Sequence, residues 1–203
     1  MSPQPIPEKN AGCDGDRQAI VIGASAGALE ALSTILPRLP AAYPLPVMVV
    51  VHLPAGKDCR LAELLSAKCQ VRVREAEDKE PIEAGAVYLA PPDYHLLVEA
   101  NDRLSLSSEE PINYSRPSID VLFESAADVY GSGLIGVVLT GANNDGAAGL
   151  SIIRRAGGTV IVQRPDLAQS SPMPRAALEA CPEALVLSLP EIADYLQQAI
   201  PTK

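Results

Sequence analysis

A change of hydrophobic period between residues 18 and 36 constrains the fold of this chain more than any other feature of the sequence. Residues 19–22 form a short apolar run rich in β-branched side chains, which is typical of a strand buried on both faces. From residue 29 to residue 36, leucine and isoleucine recur at helical spacing, and Pro37 ends the pattern. The stretch therefore predicts a buried strand, a tight turn and a helix.

The turn between this strand and helix fits the pattern G-x-S-x-G, with Ser25 at its centre. In a nucleophile elbow, such a turn exposes the serine hydroxyl, and the helix that follows offers free N–H groups to a developing oxyanion. Two other interpretations remain open on this stretch alone. The turn could bind a phosphate, although neither glycine-rich nucleotide motif is present, or it could be a plain packing turn.

The remainder of the chain repeats the alternation of strands and helices. Further strands are predicted at 47–51, 70–74 (nearer an edge), 87–90, 134–139, 159–162 and 185–187. Helices are predicted at 58–67, with Asp58 as its N-cap, and at 119–130, 147–156, 175–180 and 190–199. Runs at 94–99 and 104–107 have the signature of an antiparallel hairpin. The pattern indicates a doubly wound α/β fold, with a mostly parallel sheet of about seven strands flanked by helices.

Three side chains that can act together chemically follow three of the predicted parallel strands. Ser25 follows the first strand, His52 follows the second, and Asp145 follows the strand at 134–139. We expect them to lie close together, because the carboxyl ends of parallel strands share one edge of the sheet. A serine needs a base, and the base needs a carboxylate that fixes its tautomer. The joint placement favours a catalytic triad, although each residue alone would be ordinary in a turn; His95, inside a hairpin strand, is the weaker candidate for the base.

Composition and charge argue against several classes of function. The net charge of −9 disfavours a nucleic-acid or anionic membrane partner, and without Trp a base-stacking surface is not expected. No apolar run could span a bilayer, and the start of the chain lacks the features of a signal peptide. The four cysteines form no C-x-x-C pair, and two histidines exclude a histidine-rich metal site, which leaves only a carboxylate site for magnesium open. We expect a cytoplasmic protein without cofactor, metal, nucleic-acid partner or direct membrane insertion.

At six places, in order along the chain, the sequence resembles the catalytic domain of the CheB-type chemotaxis methylesterases. The matching segments are Ile22-Gly-Ala-Ser-Ala-Gly27, Val51-His-Leu-Pro54, Ala90-Pro-Pro-Asp-Tyr-His-Leu96, Arg116-Pro-Ser-Ile-Asp-Val-Leu-Phe123, Leu139-Thr-Gly-Ala-Asn-Asn-Asp-Gly-Ala147 and Met173-Pro-Arg-Ala-Ala177. The resemblance implies a serine hydrolase that removes methyl groups from glutamyl methyl esters on the cytoplasmic helices of methyl-accepting chemoreceptors. It also implies Ser25 as the nucleophile, His52 as the base and Asp145 as the orienting carboxylate. Glutamine deamidation at the same receptor sites would use the same triad.

The sequence departs from the family pattern beside the triad. Family members commonly have Ser-Thr-Gly-Gly at the elbow, where this chain has Ala26 and Ala28, and Thr-Gly-Met-Gly before the aspartate, where it has Ala142 and Asn143. Asn143 can still take the left-handed conformation that a glycine would supply. Further candidates for the oxyanion site or the substrate pocket are Ala26, Gly27, Gly141, Ala142 and Arg116.

The predicted domain organisation is a flexible lead at residues 1–17 followed by a single catalytic domain at 18–203. Many family members carry an N-terminal receiver domain, which needs roughly 100 residues or more. We therefore expect a stand-alone esterase without a phosphorylation switch in cis, controlled by a regulatory partner in trans or by expression. The alternative is a catalytically weak homologue that acts as a binding or scaffold module in a signalling complex; a nucleotide-binding module is a more distant third.

Overall fold

The computed structural model describes residues 18–52 and 60–199. Within these ranges, a seven-stranded sheet is built from strands that pair in parallel throughout, and a separate two-stranded sheet is antiparallel. The predicted α/β fold with one hairpin is thereby confirmed. The predicted lead at residues 1–17 and the predicted helix start at Asp58 lie outside the described residues.

The strands are β1 (Ala19–Ala24), β2 (Val47–Val51), β3 (Arg72–Glu75), β4 (Ala86–Leu89), β5 (His95–Glu99), β6 (Arg103–Ser107), β7 (Leu134–Val138), β8 (Thr159–Gln163) and β9 (Leu185–Leu187). The helices are α1 (Ala28–Ile35), α2 (Leu61–Ser66), α3 (Ile119–Tyr130), α4 (Ala147–Arg155), α5 (Pro172–Ala180) and α6 (Leu189–Gln198). Helix α5 begins earlier than predicted. A proline in the first turn is compatible with a helix because the N–H that it lacks would have no partner there.

The parallel sheet has the order β3-β4-β2-β1-β7-β8-β9, with β1 at its centre. On one side of β1 lie β2, β4 and β3, which the chain forms first, and on the other side lie β7, β8 and β9, which it forms later. As predicted, the strand near residue 72 lies at an edge. Ligands of such sheets bind beyond the carboxyl ends of the strands where the direction of winding reverses. That point lies at β1 and its neighbours β2 and β7.

Two hydrophobic cores cover the two faces of this sheet. Within β1, Val21 belongs to the core that includes α3, α4 and α5, whereas Ile20 and Ile22 belong to the core that includes α1, α2 and α6. Strand β1 therefore has a neighbouring strand on each side and a hydrophobic core on each face, and all of its residues are buried. This accounts for the continuous apolar run at residues 19–22.

Helix α3 approaches the end of β1 closely because Gly23 has no side chain. A Cβ atom at Gly23 would lie 2.4 Å from Cγ2 of Ile119, the first residue of α3. The absence of that atom brings the N-terminus of α3 beside the turn that follows β1. The hairpin β5-β6 packs on the same helix through β5.

Candidate active site

Ser25 occupies the turn between β1 and α1, and hydrogen bonds to the end of β7 hold this turn in place. The N–H of Ser25 donates to the carbonyl oxygen of Thr140 at 2.9 Å, and the Thr140 hydroxyl donates to the carbonyl oxygen of Ala26 at 2.7 Å. Gly27 has φ 88°, and a Cβ there would lie 3.0 Å from Cγ2 of Thr140. The turn therefore requires glycine at this position, which agrees with the elbow pattern.

His52 directly follows β2, and its ring reaches across the end of β1 to Asp145. The N–H of His52 donates to the carbonyl oxygen of Ala24 at 3.1 Å, which extends the pairing of β1 and β2 by one residue. The Nε2 atom lies 2.8 Å from Oδ2 of Asp145, and the side chain of His52 is 12% exposed. Two of the predicted triad side chains are therefore joined by a hydrogen bond.

Asp145 is fully buried and accepts hydrogen bonds at both carboxylate oxygens. Besides His52, its donors are the N–H of Ile119 at 2.7 Å, the hydroxyl of Ser118 at 2.8 Å, and the N–H of Asp120 and the amide of Asn113, both at 3.2 Å. The Ile119 and Asp120 N–H groups are at the start of α3, so the carboxylate also caps this helix. A negative charge is stabilised at a helix N-terminus.

These contacts keep the Asp145 carboxyl ionised. Burial by itself raises its pKa, but hydrogen bonds from His52, Ile119 and Ser118 outweigh burial and hold the pKa below its usual range. At Asp120, burial raises the pKa, and the nearby Asp145 charge raises it further. An ionised Asp145 can only accept, so the Nε2 atom of His52 is the nitrogen that carries the proton. The Nδ1 atom of neutral His52 then carries the lone pair, which is the basic site of the ring.

Asn143 contacts this second nitrogen. Its Nδ2 atom lies 3.2 Å from Nδ1 of His52, and its Oδ1 atom accepts the N–H of Asp145 at 3.3 Å. Asn143 is not among the residues with positive φ, so the loop does not use the left-handed conformation that an asparagine could take here. Its side chain instead bonds within the loop and to His52.

Ser25 and His52 lie together at the junction of a two-lobed cleft. The large lobe, about 940 Å³, extends along α1 to Lys68, and the small lobe, about 370 Å³, extends towards Tyr114 and Arg116. Both lobes are lined by Ser25 and His52. No hydrogen bond joins the Ser25 hydroxyl to the His52 ring among the described residues.

The other predicted pocket residues differ in their surroundings. Ala26 and Gly27 line the large lobe, and no acceptor within the described ranges takes their N–H groups. Arg116 lines the small lobe, where its Nη1 donates to the carbonyl oxygens of Ser108 and Glu109 at 2.8 and 3.0 Å. Ala142 is exposed at the end of β7.

Gly141 is enclosed by protein. Its N–H donates to the carbonyl oxygen of Ser170 at 3.0 Å, and a Cβ there would lie 2.5 Å from the sulfur of Met173. This N–H is therefore not free to bind an oxyanion. The position instead requires glycine because α5 packs against it.

His95 is buried away from the cleft and is 2% exposed. Its Nδ1 accepts the N–H of Ser118 at 3.1 Å, and its Nε2 lies 3.2 Å from the carbonyl oxygen of Glu110. Both nitrogens are engaged in the neutral ring. His95 therefore supports the segment that leads into α3 and has no access to Ser25.

Several side chains of the site were not among the sequence-predicted candidates. Ser118, Thr140 and Asn143 stood only within the segments that match the family, and Asn113 was not singled out at all. A hydroxyl or amide near a strand end is a weak signal, because such residues are common in turns. Only the segment Arg116–Phe123, already noted as a match, could have drawn attention to Ser118.

Neither a metal-binding cluster nor a membrane-spanning helix is present in the part of the chain that the structure describes. No three His, Cys, Asp or Glu side chains are grouped to hold a metal ion in residues 18–52 and 60–199. In the same ranges, none of the helices is both long and apolar enough for a membrane span. Of the cysteines, Cys181 is buried and Cys69 is half-buried, while Cys13 and Cys59 lie outside the described residues.

Comparison with known proteins shows the family to which this chain belongs. The family model described as CheB methylesterase matches residues 20–196. A Leptospira interrogans protein named "Putative protein-glutamate methylesterase/protein-glutamine glutaminase" is 50% identical over 177 residues, which cover 87% of this chain and 92% of that protein. A Symbiobacterium thermophilum protein named "Protein-glutamate methylesterase/protein-glutamine glutaminase" is 40% identical over 184 residues, 91% of this chain and 51% of the longer relative.

A solved structure has the same fold. The crystal structure of the Thermotoga maritima CheB methylesterase catalytic domain matches with a TM-score of 0.87 at 35% identity, covering 91% of this chain and 100% of that one. The chain belongs to the CheB methylesterase family.

Proposed function

We propose that this protein is a protein-glutamate methylesterase in which Ser25 is the nucleophile, His52 the general base and Asp145 the carboxylate that orients the base. The observation that carries the proposal is the position of Ser25 and His52 in one cleft, with His52 bonded through Nε2 to the buried Asp145 at 2.8 Å. A hydroxyl nucleophile, an imidazole and an ionised carboxylate are the groups that ester hydrolysis by a serine enzyme requires.

In the first half of the reaction, His52 takes the Ser25 proton at Nδ1 as the serine oxygen attacks the ester carbonyl. A C–O bond forms between Ser25 and the glutamyl carbon, and the carbonyl oxygen becomes an oxyanion. The imidazolium is stabilised by Asp145, which holds the Nε2–H. The proton on Nδ1 then passes to the methoxy oxygen as its bond to carbon breaks, which releases methanol and leaves Ser25 acylated.

In the second half, water replaces Ser25. His52 takes a proton from a water molecule that attacks the acyl carbon, and the same proton returns to the Ser25 oxygen as its bond to carbon breaks. The products are a glutamate side chain and the free serine. Glutamine deamidation follows the same steps with ammonia as the leaving group, so we propose it as a second activity of this triad.

The oxyanion is assigned to the N-terminal end of α1. The N–H groups of Ala26 and Gly27 have no acceptor within the described ranges and adjoin Ser25, and the helix dipole adds positive potential. Ala142 is not among the described residues that line the two lobes, and the N–H of its neighbour Gly141 is occupied by the carbonyl oxygen of Ser170. Arg116 supplies positive charge to the small lobe.

The proposed substrates are glutamyl methyl esters on the cytoplasmic helices of methyl-accepting chemoreceptors or similar methylated signalling proteins. The support is the family and the names of the relatives, which specify glutamate methyl esters and glutamine side chains in proteins. The open cleft agrees with a protein substrate, since both lobes are reached from the surface at Ser25. A cytoplasmic location and control by a partner in trans belong to the same proposal.

The second candidate function is a catalytically weak homologue that binds its target as a scaffold module. One observation favours it: the Ser25 hydroxyl has no hydrogen bond to His52, and Asn143 lies on the nitrogen that would act as the base. The two candidates differ in turnover. A scaffold would bind the methylated receptor fragment and release no methanol from it.

The test is release of labelled methanol from a chemoreceptor fragment that carries methyl-labelled glutamyl esters. We expect turnover by the wild-type chain, and almost none by Ser25→Ala or His52→Ala. Ser132→Ala is the matched control, because Ser132 is exposed in the turn before β7, and it should retain wild-type turnover. Binding of the fragment without methanol release would support the scaffold and overturn the esterase.

A further inference from the structure

The hydrogen bonds around His52 fix which of its nitrogens is available as a base. The ionised Asp145 lies 2.8 Å from Nε2 and can only accept, so Nε2 carries the proton and Nδ1 carries the lone pair. The Oδ1 atom of Asn143 accepts the N–H of Asp145 at 3.3 Å, so the other end of this amide is its NH₂ group. That group lies 3.2 Å from Nδ1 and donates to it.

Asn143 and Ser25 therefore compete for one acceptor. A ring nitrogen has a single lone pair in the plane of the imidazole, and it accepts one well-aligned hydrogen bond. Ser25, His52 and Asn143 all line the small lobe of the cleft. Within the described ranges the lone pair is taken by Asn143 and not by the Ser25 hydroxyl. To remove the Ser25 proton, His52 must first exchange one donor for the other.

Two further observations indicate that the side chain of Asn143, and not its backbone, matters here. Its φ is not positive, so the position does not need the conformational freedom of an asparagine or a glycine. The CheB-type pattern commonly has glycine at this position, and glycine has no amide with which to reach the histidine. The neighbouring Asn144, by contrast, is exposed, and no hydrogen bond of its side chain joins it to the described part of the chain.

We propose that Asn143 is a positioning residue that restrains the reaction: it holds Nδ1 of His52 in the resting enzyme, and its release by a bound substrate lets Ser25 bond to the base. The inference rests on the proposed function, since it assumes that Ser25 is activated by His52. The hydrogen bond from Asn143 to His52 makes Ser25 less reactive in the free enzyme than the triad alone would allow. Substrates that contact Asn143 in the small lobe are the ones that relieve the restraint.

The experiment measures how fast a serine-directed phosphonate inactivates the free protein. Asn143→Ala removes the competing donor, and we expect labelling of Ser25 to accelerate roughly two- to tenfold, the range that one neutral hydrogen bond spans. Asn143→Asp keeps the shape but places an acceptor against Nδ1, which favours a proton on that nitrogen, and we expect slower labelling. Asn144→Ala is the matched control in the same loop and should react at the wild-type rate.

A second readout follows the hydrogen bond itself. In ¹⁵N NMR spectra, with His52 assigned by comparison with His52→Gln, the Nδ1 signal should move in Asn143→Ala towards that of an unbonded ring nitrogen. It should not move in Asn144→Ala. A loop that was merely loosened would not distinguish Asn143→Ala from Asn143→Asp by opposite changes in rate.

The proposal is contradicted if Ser25 is labelled no faster in Asn143→Ala than in the wild type, or if the Nδ1 signal of His52 is the same in both proteins. Failure of the proposed function gives a different result. In that case the phosphonate would label Ser25 in none of the variants, while the NMR comparison would still report whether Asn143 donates to His52.

Discussion

Asp145 is bonded both to His52 and to the N-terminus of α3. Its carboxylate accepts from the His52 ring and from the N–H groups of Ile119 and Asp120, so one side chain sets the tautomer of the base and caps a helix. Any change at Asp145 should therefore affect turnover and stability together. The two effects separate with pH.

We expect Asp145→Asn to lower turnover by a factor on the order of 10⁴, the loss seen when a triad carboxylate becomes an amide. The amide presents a donor where the carboxylate accepts, so it favours the wrong tautomer of His52. Methanol release from a methylated receptor fragment measures the effect. Asp128→Asn is the control, because Asp128 is an exposed aspartate on α3, the helix that Asp145 caps. Near-wild-type turnover in Asp145→Asn would reduce Asp145 to a structural residue.

The ionised state of Asp145 also predicts that the effect of Asp145→Asn on stability depends on pH. The pKa of Asp145 is lowered in the folded protein, so its ionised form stabilises the fold above the ordinary carboxyl pKa of about 3.9. That contribution is lost as the pH falls through the lower, folded-state pKa. The free energy of unfolding in urea should therefore differ more between wild type and Asp145→Asn at pH 7 than at pH 3. A pH-independent difference would contradict the assignment of an ionised Asp145.

The two histidines should respond differently to removal. His52→Ala should abolish turnover as Ser25→Ala does, and the double variant should lose little more, because residues that act as one unit are not additive. His95→Ala should mainly cost stability, about 1–3 kcal/mol for leaving the buried Ser118 N–H without an acceptor. Urea unfolding and methanol release on the same preparations separate the two effects. Loss of turnover in a stable His95→Ala would reverse the assignment of the base.

How far the site could be predicted depends on where each residue lies relative to a strand end. Ser25 and His52 directly follow β1 and β2, and parallel strands bring their carboxyl ends to one edge of the sheet. The hydrophobic pattern that locates these strands was therefore sufficient to predict that the two side chains lie close together. The bond from Asn143 to His52 depends on the path of the loop after β7, and no periodic pattern encodes that path. The same holds for Asn113, which reaches Asp145 from a loop between β6 and α3.

At the scale of elements, the close approach of α5 to β7 explains why Gly141 has no side chain. The N–H of Met173 donates to the carbonyl oxygen of Gly141 at 2.9 Å, and the Met173 side chain fills the space where a Cβ would be. The sequence suggested a pocket role for Gly141 because it lies beside the triad in a motif. Only the packing of α5 reveals that its N–H and its Cα are both enclosed.

Gly141→Ala should therefore destabilise the fold by about 1–3 kcal/mol through overpacking. Met173→Ala in the same chain should recover part of this loss, because it removes the atoms that the new methyl group meets. Ala142→Ser, exposed at the next position, should have little effect. Urea unfolding of wild type, Gly141→Ala, Met173→Ala and the double variant gives the coupling energy of the two changes. Simple additivity of the two changes would exclude this contact as the reason for glycine.

Element types were more predictable than element ends. Strands β1, β2 and β7 are buried on both faces and are therefore apolar throughout, which the sequence signals clearly. The hairpin β5-β6 was predicted from its connecting polar residues. The start of α5 was missed because its first turn contains Pro172 and Pro174, which resemble a loop until the helix is seen to begin at them.

For the whole molecule, the open question is whether residues 1–17 influence the site. We predict that they do not: the full chain and a chain that starts near Arg17 should release methanol at similar rates, with and without a small phosphodonor. Residues 1–17 contain few large apolar side chains, so they could bury little apolar surface over the cleft. A large gain on truncation, or a response to the phosphodonor, would contradict this.

The central claim is that Ser25 is a nucleophile activated within this fold, and peptide mapping after treatment with a serine-directed phosphonate tests it most directly. The account predicts one adduct per chain, located by mass spectrometry at Ser25, with loss of methanol release in proportion to labelling. His52→Ala should label far more slowly, whereas His95→Ala should label at close to the wild-type rate. An adduct at another residue, or undiminished turnover after Ser25 is labelled, would contradict the account.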